Sequence, residues 1–288
     1  MAGSIPGSAL SEAWRRFLKH RLAVAGLGLV LGLTLLALSA RHVAPHDPIR
    51  QDLPHALAGP SVEFPLGTDE FGRCILSRIL FGARLSLLVG VIATAIGATA
   101  GIVAGLAAGY FPRLDAPVMR CMDVLLAFPS ILLAIAVVAA LGPSLVNVMI
   151  AVGVRSIPSF ARLSRSMVLS LKELEFVQGA AALGASHARV LFRHILPNSV
   201  SPLLVFSSMQ VATAILLAAI LSFLGLGVQP PTPEWGKMVS DGRAYLMEAP
   251  HVSMFPGLAI FVAVMGFNCL GDGLRDALDP RVGRVAVE

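Results

Sequence analysis

The sequence predicts an all-α polytopic membrane protein with six transmembrane helices. Its 288 residues are 56% hydrophobic and only 14% charged, and the mean hydropathy is +0.79. Soluble domains carry about 25% charged residues, so this composition indicates a chain embedded in lipid. Several uncharged runs also reach about 20 residues, which is the helix length needed to cross the hydrocarbon core.

The N-terminal region predicts one membrane anchor. A basic segment containing Trp14 and Phe17 precedes an uncharged run at 22–40. This run is long for the hydrophobic region of a signal peptide, and residues 37–39 match a cleavage site only in part. We therefore predict a cytoplasmic segment at 1–21 and transmembrane helix 1 at 22–40.

A polar segment at 41–84 follows, which we predict to be an extracytoplasmic loop, and five prolines keep its first part extended. The spacing of Arg73, Arg78 and Arg84 predicts a short interfacial helix that leads into the next span. Histidines and aspartates between 42 and 55 are irregularly spaced, so no metal site is predicted there.

The second span, at 85–110, is uncharged and carries glycine at every fourth position. The four glycines are Gly97, Gly101, Gly105 and Gly109. On a helix they form one smooth stripe, which lets a neighbouring helix approach closely. We predict that this stripe packs against another helix.

Glycine and proline divide the remaining apolar sequence. The uncharged run at 124–154 is too long for one span, and Gly142-Pro143 separates it into two. The later predicted helices are about 119–141, 145–166, 199–223 and 252–271. The second of these carries Arg155, which is costly at membrane depth unless it faces protein or water.

The distribution of charge predicts the orientation of these spans. Of the 22 Lys and Arg residues, 15 lie on segments that six crossings place with the N-terminus, and seven lie on the other side. This bias predicts that both termini, including the tail at 272–288, are cytoplasmic. It places the loop at 224–251 outside, where glycine and proline between 224 and 236 are expected to exclude regular helix.

The charged segment at 173–198 predicts two short helices joined by a bend. Its Ala-rich first half favours a helix. Gly184 can end that helix in the left-handed conformation, and Ser186 can cap a second helix through Arg193. Leu196-Pro197 is expected to stop the second helix, because a residue before proline avoids the α region.

This segment resembles the cytoplasmic EAA loop of bacterial ABC-importer permeases. Gln178-Gly179-Ala180 occupy the Glu-Ala-Ala positions, Gly184 the glycine and Leu196-Pro197 the closing pair. The sequence departs from the signature at Gln178, Gly179 and His194. The resemblance implies that the ATPase-coupling residues are Glu175, Gln178, Gly179, Ala180, Ala181, Gly184, Arg189, Arg193, Leu196 and Pro197.

The resemblance extends over nearly the whole chain, to the C-type permease of dipeptide, oligopeptide and nickel ABC importers. The blocks that carry it are WRRFLKHRLAVAGL, PLGTDEFGRCILSRILFGARLSL, EFVQGAAALGASHARVLFRHILPN, SFLGLGVQPPTPEWGKMVSDGR and GDGLRDALDPR. Cys74 stands where the family usually has aspartate. The implied fold is a type I ABC-importer permease with its core at 85–271.

The resemblance also implies partners. These are a homologous B-type permease that completes a heterodimer, two cytoplasmic ABC ATPases, an extracytoplasmic solute-binding protein and the lipid of a bacterial inner membrane. ATP and magnesium are expected in the ATPases, with no cofactor bound by this chain. Peptides are the favoured solute, and nickel or another small solute is the alternative.

Motifs for other classes of protein are missing from the sequence. It has no Gly-x-x-x-x-Gly-Lys-Ser/Thr, His-Glu-x-x-His or Gly-x-Ser-x-Gly pattern, so it is not predicted to be an enzyme. Its basic residues lie at the ends of apolar runs, which indicates a membrane surface and not nucleic acid. A secondary transporter or channel is a less favoured alternative, because the ionisable residues cluster near the span ends.

The loop at 224–251 offers candidates for docking the binding protein, namely Thr232, Glu234 and Trp235. Two interpretations of Trp235 stay open, since a lone Trp in a polar loop either packs as a staple or contacts a partner. The staple is slightly favoured.

Overall fold

The computed structural model describes residues 14, 15 and 17–278. The predicted N-terminal segment is therefore described only in part, and the end of the predicted tail, with Arg281 and Arg284, lies outside the described residues. Between residues 21 and 278 the regular elements are helical. The helices are α1 Arg21–Val43, α2 Ile75–Tyr110, α3 Pro112–Ala127, α4 Ser130–Leu141, α5 Leu145–Leu171, α6 Glu175–Ala182, α7 His187–Phe223, α8 Trp235–Gly242 and α9 His251–Leu278.

Five of these helices, α1, α2, α5, α7 and α9, are each long and apolar enough to cross a membrane. A sixth crossing requires α3 and α4 together, and this pair is bent by 92°. The prediction of a single helix at about 119–141 is therefore wrong, because two helices cover these residues. The bend follows from Pro129, because Phe128 before it takes an extended conformation with φ −86° and ψ 136°.

The bundle is organised around α2, which packs most extensively against α5. The glycine stripe of α2 lies in this contact, and all four of its glycines are buried. A Cβ at Gly101 would lie 2.5 Å from Cβ of Phe160, and one at Gly109 would lie 2.7 Å from Cβ of Val168. The absence of side chains on the stripe thus sets how closely the two helices approach.

The second span is longer than the sequence indicated. α2 begins at Ile75, so the separate interfacial helix predicted between Arg73 and Arg84 is wrong. Its first turns bury Ile75 and Ala83 against the core that α8 and α9 share. This packing lets one helix of 36 residues, about 54 Å, run past the hydrocarbon core into the preceding loop.

The expected helix stop at Leu196-Pro197 is also wrong, because α7 runs unbroken from His187 to Phe223. A π-helical segment at Val190–Ile195 precedes the proline, and Leu196 N–H donates to the Leu191 oxygen five residues back. The wider turn avoids the clash that a proline ring makes with the i−4 carbonyl of a regular helix. Asn198 Nδ2 donates to the His194 oxygen at 2.6 Å, which satisfies a carbonyl near this segment.

The loop at 224–251 has no regular helix at 224–234, in agreement with the prediction from its glycine and proline content, but a helix begins at Trp235 and includes the last two residues of the predicted run. The Gly/Pro-rich run ends at Pro233, and α8 begins two residues later. Glu234 caps α8, since its carboxylate accepts from the backbone N–H groups of Gly236 at 3.0 Å and Lys237 at 2.9 Å. Local capping therefore starts a helix that the average composition of the loop conceals.

Candidate functional site

The segment at 173–198, here called the coupling segment, is built around a sharp bend. Gly184 has φ +84°, which only glycine adopts without strain. Gly184 N–H donates to the Ala181 oxygen and Ala185 N–H to the Ala180 oxygen, at 3.0 and 3.1 Å. This pair of hydrogen bonds is a Schellman motif, and it fixes the direction in which the chain leaves α6.

The second half of the coupling segment is fixed where it enters α7. Ser186 caps this helix by accepting from Arg189 N–H at 3.4 Å. His187 follows, and its Nδ1 lies 2.9 Å from the hydroxyl oxygen of Tyr110 at the end of α2. The start of α7 is thereby tied to the helix at the centre of the bundle.

One face of the coupling segment packs on the bundle. Its buried residues Val177, Val190 and Ile195 form a cluster with Leu106 of α2 and Val168 of α5. Through this cluster α6 and the start of α7 are packed on the ends of α2 and α5. The segment has the packing that a mechanical link requires.

The other face is exposed and contains much of the predicted coupling motif. Exposed residues of that motif are Glu175, Gln178, Gly179, Ala181, Gly184, Arg189, Arg193 and Pro197, whereas Ala180 and Leu196 are half-buried. Large apolar side chains lie among them, with Leu183 91% and Phe192 65% exposed. Large apolar side chains exposed to this extent on one segment indicate contact with another protein.

At the other end of α2, residues 44–74 and 224–250 together form what we call the loop cap. Trp235 lies inside it and is fully buried. Its Nε1 donates to the Ile79 oxygen at 3.0 Å, and Gly82 leaves room for the ring. Of the two interpretations of Trp235, the structure supports the staple.

The buried position of Glu234 likewise rules it out as an exposed docking residue, and Thr232, which is half-buried, is the remaining candidate. Burial raises the pKa of Glu234 above its usual range, although two backbone N–H groups donate to the carboxylate. Burial also raises the pKa of Glu70 in the same cap. The loop cap thus contains acidic groups that are held away from water.

A buried ionic network in the loop cap was not predicted from the sequence. The Asp69 carboxylate lies 2.7 Å from Arg73 Nε and 3.3 Å from Arg78 Nε, and these three side chains are at most 6% exposed. Arg78 also donates to the Pro48 oxygen at 3.0 Å. The Asp69-x-x-x-Arg73 spacing could have predicted an ion pair between these two residues. Arg78, in contrast, joins the network only through tertiary packing.

Two sequence families match the chain. Residues 77–284 match the family described as "Binding-protein-dependent transport system inner membrane component". The chain belongs to this family. Residues 8–60 match a second family, the N-terminal TM domain of oligopeptide transport permease C. As a member of the binding-protein-dependent transport family, the protein is a permease subunit of an ABC importer.

Curated relatives of this permease are similar over almost their full length. It is 48% identical over 272 residues to the dipeptide transport system permease protein DppC of Alkalihalophilus pseudofirmus, covering 94% of this chain and 90% of the relative. It is 50% identical over 273 residues to the glutathione transport system permease protein GsiD of Pectobacterium atrosepticum, covering 94% and 91%. These relatives are transport permeases, in agreement with a membrane component that is not itself an enzyme.

Solved structures support the same fold for the permease. The MetNI methionine ABC transporter in inward-facing conformations matches with a TM-score of 0.56 at 17% identity, over 70% of this chain and 97% of that one. An amino acid ABC transporter solved with histidines matches with a TM-score of 0.53 at 15% identity, over 68% and 92%. At this identity the comparison shows the arrangement of helices only.

Proposed function

We propose that this permease forms half of a translocation pathway for dipeptides and oligopeptides. The observation that supports the peptide solute most strongly is the near full-length similarity to relatives named for dipeptide and glutathione transport. Glutathione is itself a small peptide, so both names describe one chemical class. Nickel or another small solute remains the second candidate, from the wider resemblance of the sequence.

Coupling to ATP is assigned to the exposed face of the coupling segment. In this proposal two cytoplasmic ABC ATPases bind ATP and magnesium, and each docks on one permease of a heterodimer with a B-type subunit. The exposed side chains of Leu183 and Phe192 provide apolar contact, and the buried side of the segment transmits movement to α2 and α5. The 15-to-7 distribution of basic residues supports a cytoplasmic position for this segment and for both termini.

The loop cap is assigned to the extracytoplasmic side, where it receives the solute-binding protein. Three residues of the loop cap are suited to such a contact, namely Val62 and Met247, which are almost completely exposed, and Thr232, which is half-buried. Exposed apolar side chains on a rigid loop lose little conformational freedom when a partner binds. The network of Asp69, Arg73 and Arg78 keeps the cap rigid.

The mechanism that follows is alternating access. The binding protein delivers a peptide to the loop cap, and ATP closes the ATPase dimer. The coupling segments move with the ATPases and rotate the helices, so the pathway opens toward the binding protein. Hydrolysis resets the pathway toward the cytoplasm. Selectivity resides largely in the binding protein, and the pathway needs only modest affinity.

Reconstitution tests this proposal directly. The permease pair, its ATPases and its binding protein are placed in liposomes, and uptake of a labelled dipeptide is measured with and without ATP. We expect uptake only with ATP and the binding protein together. Uptake of nickel in preference to the dipeptide would support the second candidate, and dipeptide uptake without ATPases would contradict the importer mechanism.

A further inference from the structure

One arginine of this permease lies deep in a membrane-spanning helix. Arg155 is ten residues, about 15 Å, from the first residue of α5, which continues to Leu171. Its neighbours Gly153 and Ser156 lie against Gly97, near the middle of the uncharged stretch of α2. The expectation that ionisable residues cluster near the span ends is therefore wrong for Arg155.

Arg155 begins a polar stripe along α5. The stripe consists of Arg155, Ser159, Arg162, Ser166 and Ser170. At about 100° per residue these positions fall within an arc of about 80°, turned roughly 140° from the residues that meet the glycine stripe. Its first two members are half-buried and the others are exposed. Lipid does not solvate such a stripe, so it faces water or protein in the assembled importer.

The three arginines of α5, namely Arg155, Arg162 and Arg165, differ in their ionic partners. Arg162 Nη2 lies 2.6 Å from a carboxylate oxygen of Asp123, and Arg165 on the same helix lies 2.6 Å from Asp115. Within the described part of the chain, no carboxylate lies within 4.0 Å of the Arg155 guanidinium. Of the three arginines on α5, the one nearest the middle of the membrane is thus the one that has no counter-charge among the described residues.

A polar cleft continues from the stripe toward the end of α5 that leads to the coupling segment. It has a volume of ≈ 620 Å³ between α3 and α5. Its charged lining residues are Asp115, Arg120, Asp123, Arg162 and Arg165. Polar surface therefore runs from the level of Arg155 to the end of the bundle, as a pathway for a hydrophilic solute requires.

We propose that Arg155 lines the pathway and binds the carboxylate of the transported peptide midway across the membrane. This inference rests on the proposed function, because the ligand is the peptide that the importer carries. A guanidinium offers a planar fork of N–H donors that matches a carboxylate in two parallel hydrogen bonds. Such a contact offsets the cost of moving a charged group through a region with no lipid headgroups.

A double comparison of solutes and variants tests this assignment. Uptake of a dipeptide and of its C-terminal amide is measured in the complete importer for the parent, Arg155→Gln and Arg155→Lys. Since the same binding protein delivers both solutes in every variant, its preference cancels from the ratio. We expect Arg155→Gln to lower uptake of the free acid about tenfold and uptake of the amide less than about twofold, with Arg155→Lys intermediate.

Arg113→Gln provides the matched control, because Arg113 is an exposed arginine at the start of α3. It should leave the acid-to-amide ratio, basal ATPase activity and complex yield unchanged. If Arg155→Gln instead lowers complex yield, or lowers uptake of both solutes equally, Arg155 pairs with a carboxylate of the partner permease and the inference fails. A parent importer that carries no peptide would overturn the proposed function as well, so the two failures are distinguishable.

Cysteine labelling tests the location independently of transport. Ser159→Cys is made in a chain in which Cys121 and Cys269 are replaced by serine, and Cys74 remains buried. In the assembled importer we expect this cysteine to react with a charged thiol reagent, and the dipeptide with its binding protein to slow the reaction. Leu35→Cys, on the exposed apolar face of α1, should stay unreactive. Equal reactivity of the two cysteines, or no slowing of the Ser159→Cys reaction by the dipeptide, would contradict a water-filled pathway beside Arg155.

Discussion

The loop cap and the coupling segment lie at opposite ends of α2, and they differ in how far their side chains are buried within this chain. In the loop cap and the first turn of α2, the charged side chains of Asp69, Arg73 and Arg78 and the ring of Trp235 are all buried. The coupling segment has one buried face and leaves Leu183 91% exposed on the other. The first region is therefore complete within this chain, whereas the second presents a surface that another protein must cover.

Because of this difference, substitutions in the two regions should have different effects. Substitutions inside the loop cap remove contacts that hold helices of this chain together, so they should lower the stability of the fold. Substitutions on the exposed face of the coupling segment leave those contacts intact, so they should affect mainly the coupling to the ATPases.

The largest effect is expected from Asp69→Asn in the loop cap. It removes the carboxylate charge that lies between Arg73 and Arg78. Glu70 stays 3.2 Å from Arg73, but Arg78 loses the carboxylate it pairs with among the described residues, and breaking a buried ion pair in this way costs about 3–5 kcal/mol. Complex yield and thermal stability in detergent should both fall. Asp123→Asn is the control, because its pair with Arg162 is more than half exposed and contributes at most about 1 kcal/mol. Equal effects of the two variants would contradict this expectation.

Trp235→Ala should be nearly as destabilising, since truncating a fully buried aromatic costs about 3–5 kcal/mol. Complex yield should drop, and Trp235→Phe should restore part of it because the ring still fills most of the space. Stimulation of the ATPases by the loaded binding protein, measured per assembled complex, should stay normal. If Trp235→Ala lost the stimulation of the ATPases while complex yield stayed normal, Trp235 would have a role in docking the binding protein.

Gly101→Leu should disturb the helix that connects the two regions. Its Cβ alone would lie 2.5 Å from Phe160 Cβ, and overpacking of this kind costs about 1–3 kcal/mol or more. Thermal stability should fall because α2 and α5 separate. Gly28→Leu is the matched control, as no atom lies within 4 Å of a Cβ built there. If the two variants have the same melting temperature, the glycine stripe does not determine how closely α2 and α5 approach each other.

Gly184→Val in the coupling segment should affect communication more than assembly. No atom lies within 4 Å of an added Cβ, so the effect comes from φ +84°, which costs a β-branched residue about 1–3 kcal/mol. We expect near-normal complex yield with fewer peptides imported per ATP hydrolysed. Gly184→Asn tolerates this conformation better and should retain coupling. Normal peptide uptake by the Gly184→Val variant would show that the coupling segment acts only as a linker.

Gly179→Ala should give the smallest effect, and a favourable one. Gly179 lies inside α6 with open space around it, so alanine should stabilise the helix by about 1 kcal/mol. A slight increase in thermal stability with unchanged uptake is expected. A decrease in ATPase binding would show that the missing methyl group is part of the docking surface.

The coupling segment was the part of the molecule most readable from its sequence. The bend at Gly184 and the cap at Ser186 depend on residues within a few positions of each other, and both are present in the structure. The break at Pro129 is equally local, but the uncharged run at 124–154 continues across it and is divided in the prediction only at Gly142-Pro143. The continuation of α7 past Pro197 was not readable, since it depends on a π-helical turn packed against α2 and α5.

The membrane class, most of the spans and the glycine stripe can be predicted from the sequence, because hydropathy and helical periodicity are properties of neighbouring residues. Which charges are buried and which lack a partner among the described residues depends on tertiary packing. Arg78 reaches Pro48 and Pro231, 30 and 153 positions away. Arg155 has its depth fixed by the contact of α5 with Gly97. The free energy of a charge depends on what surrounds it in space, and that is set by the packing of distant segments.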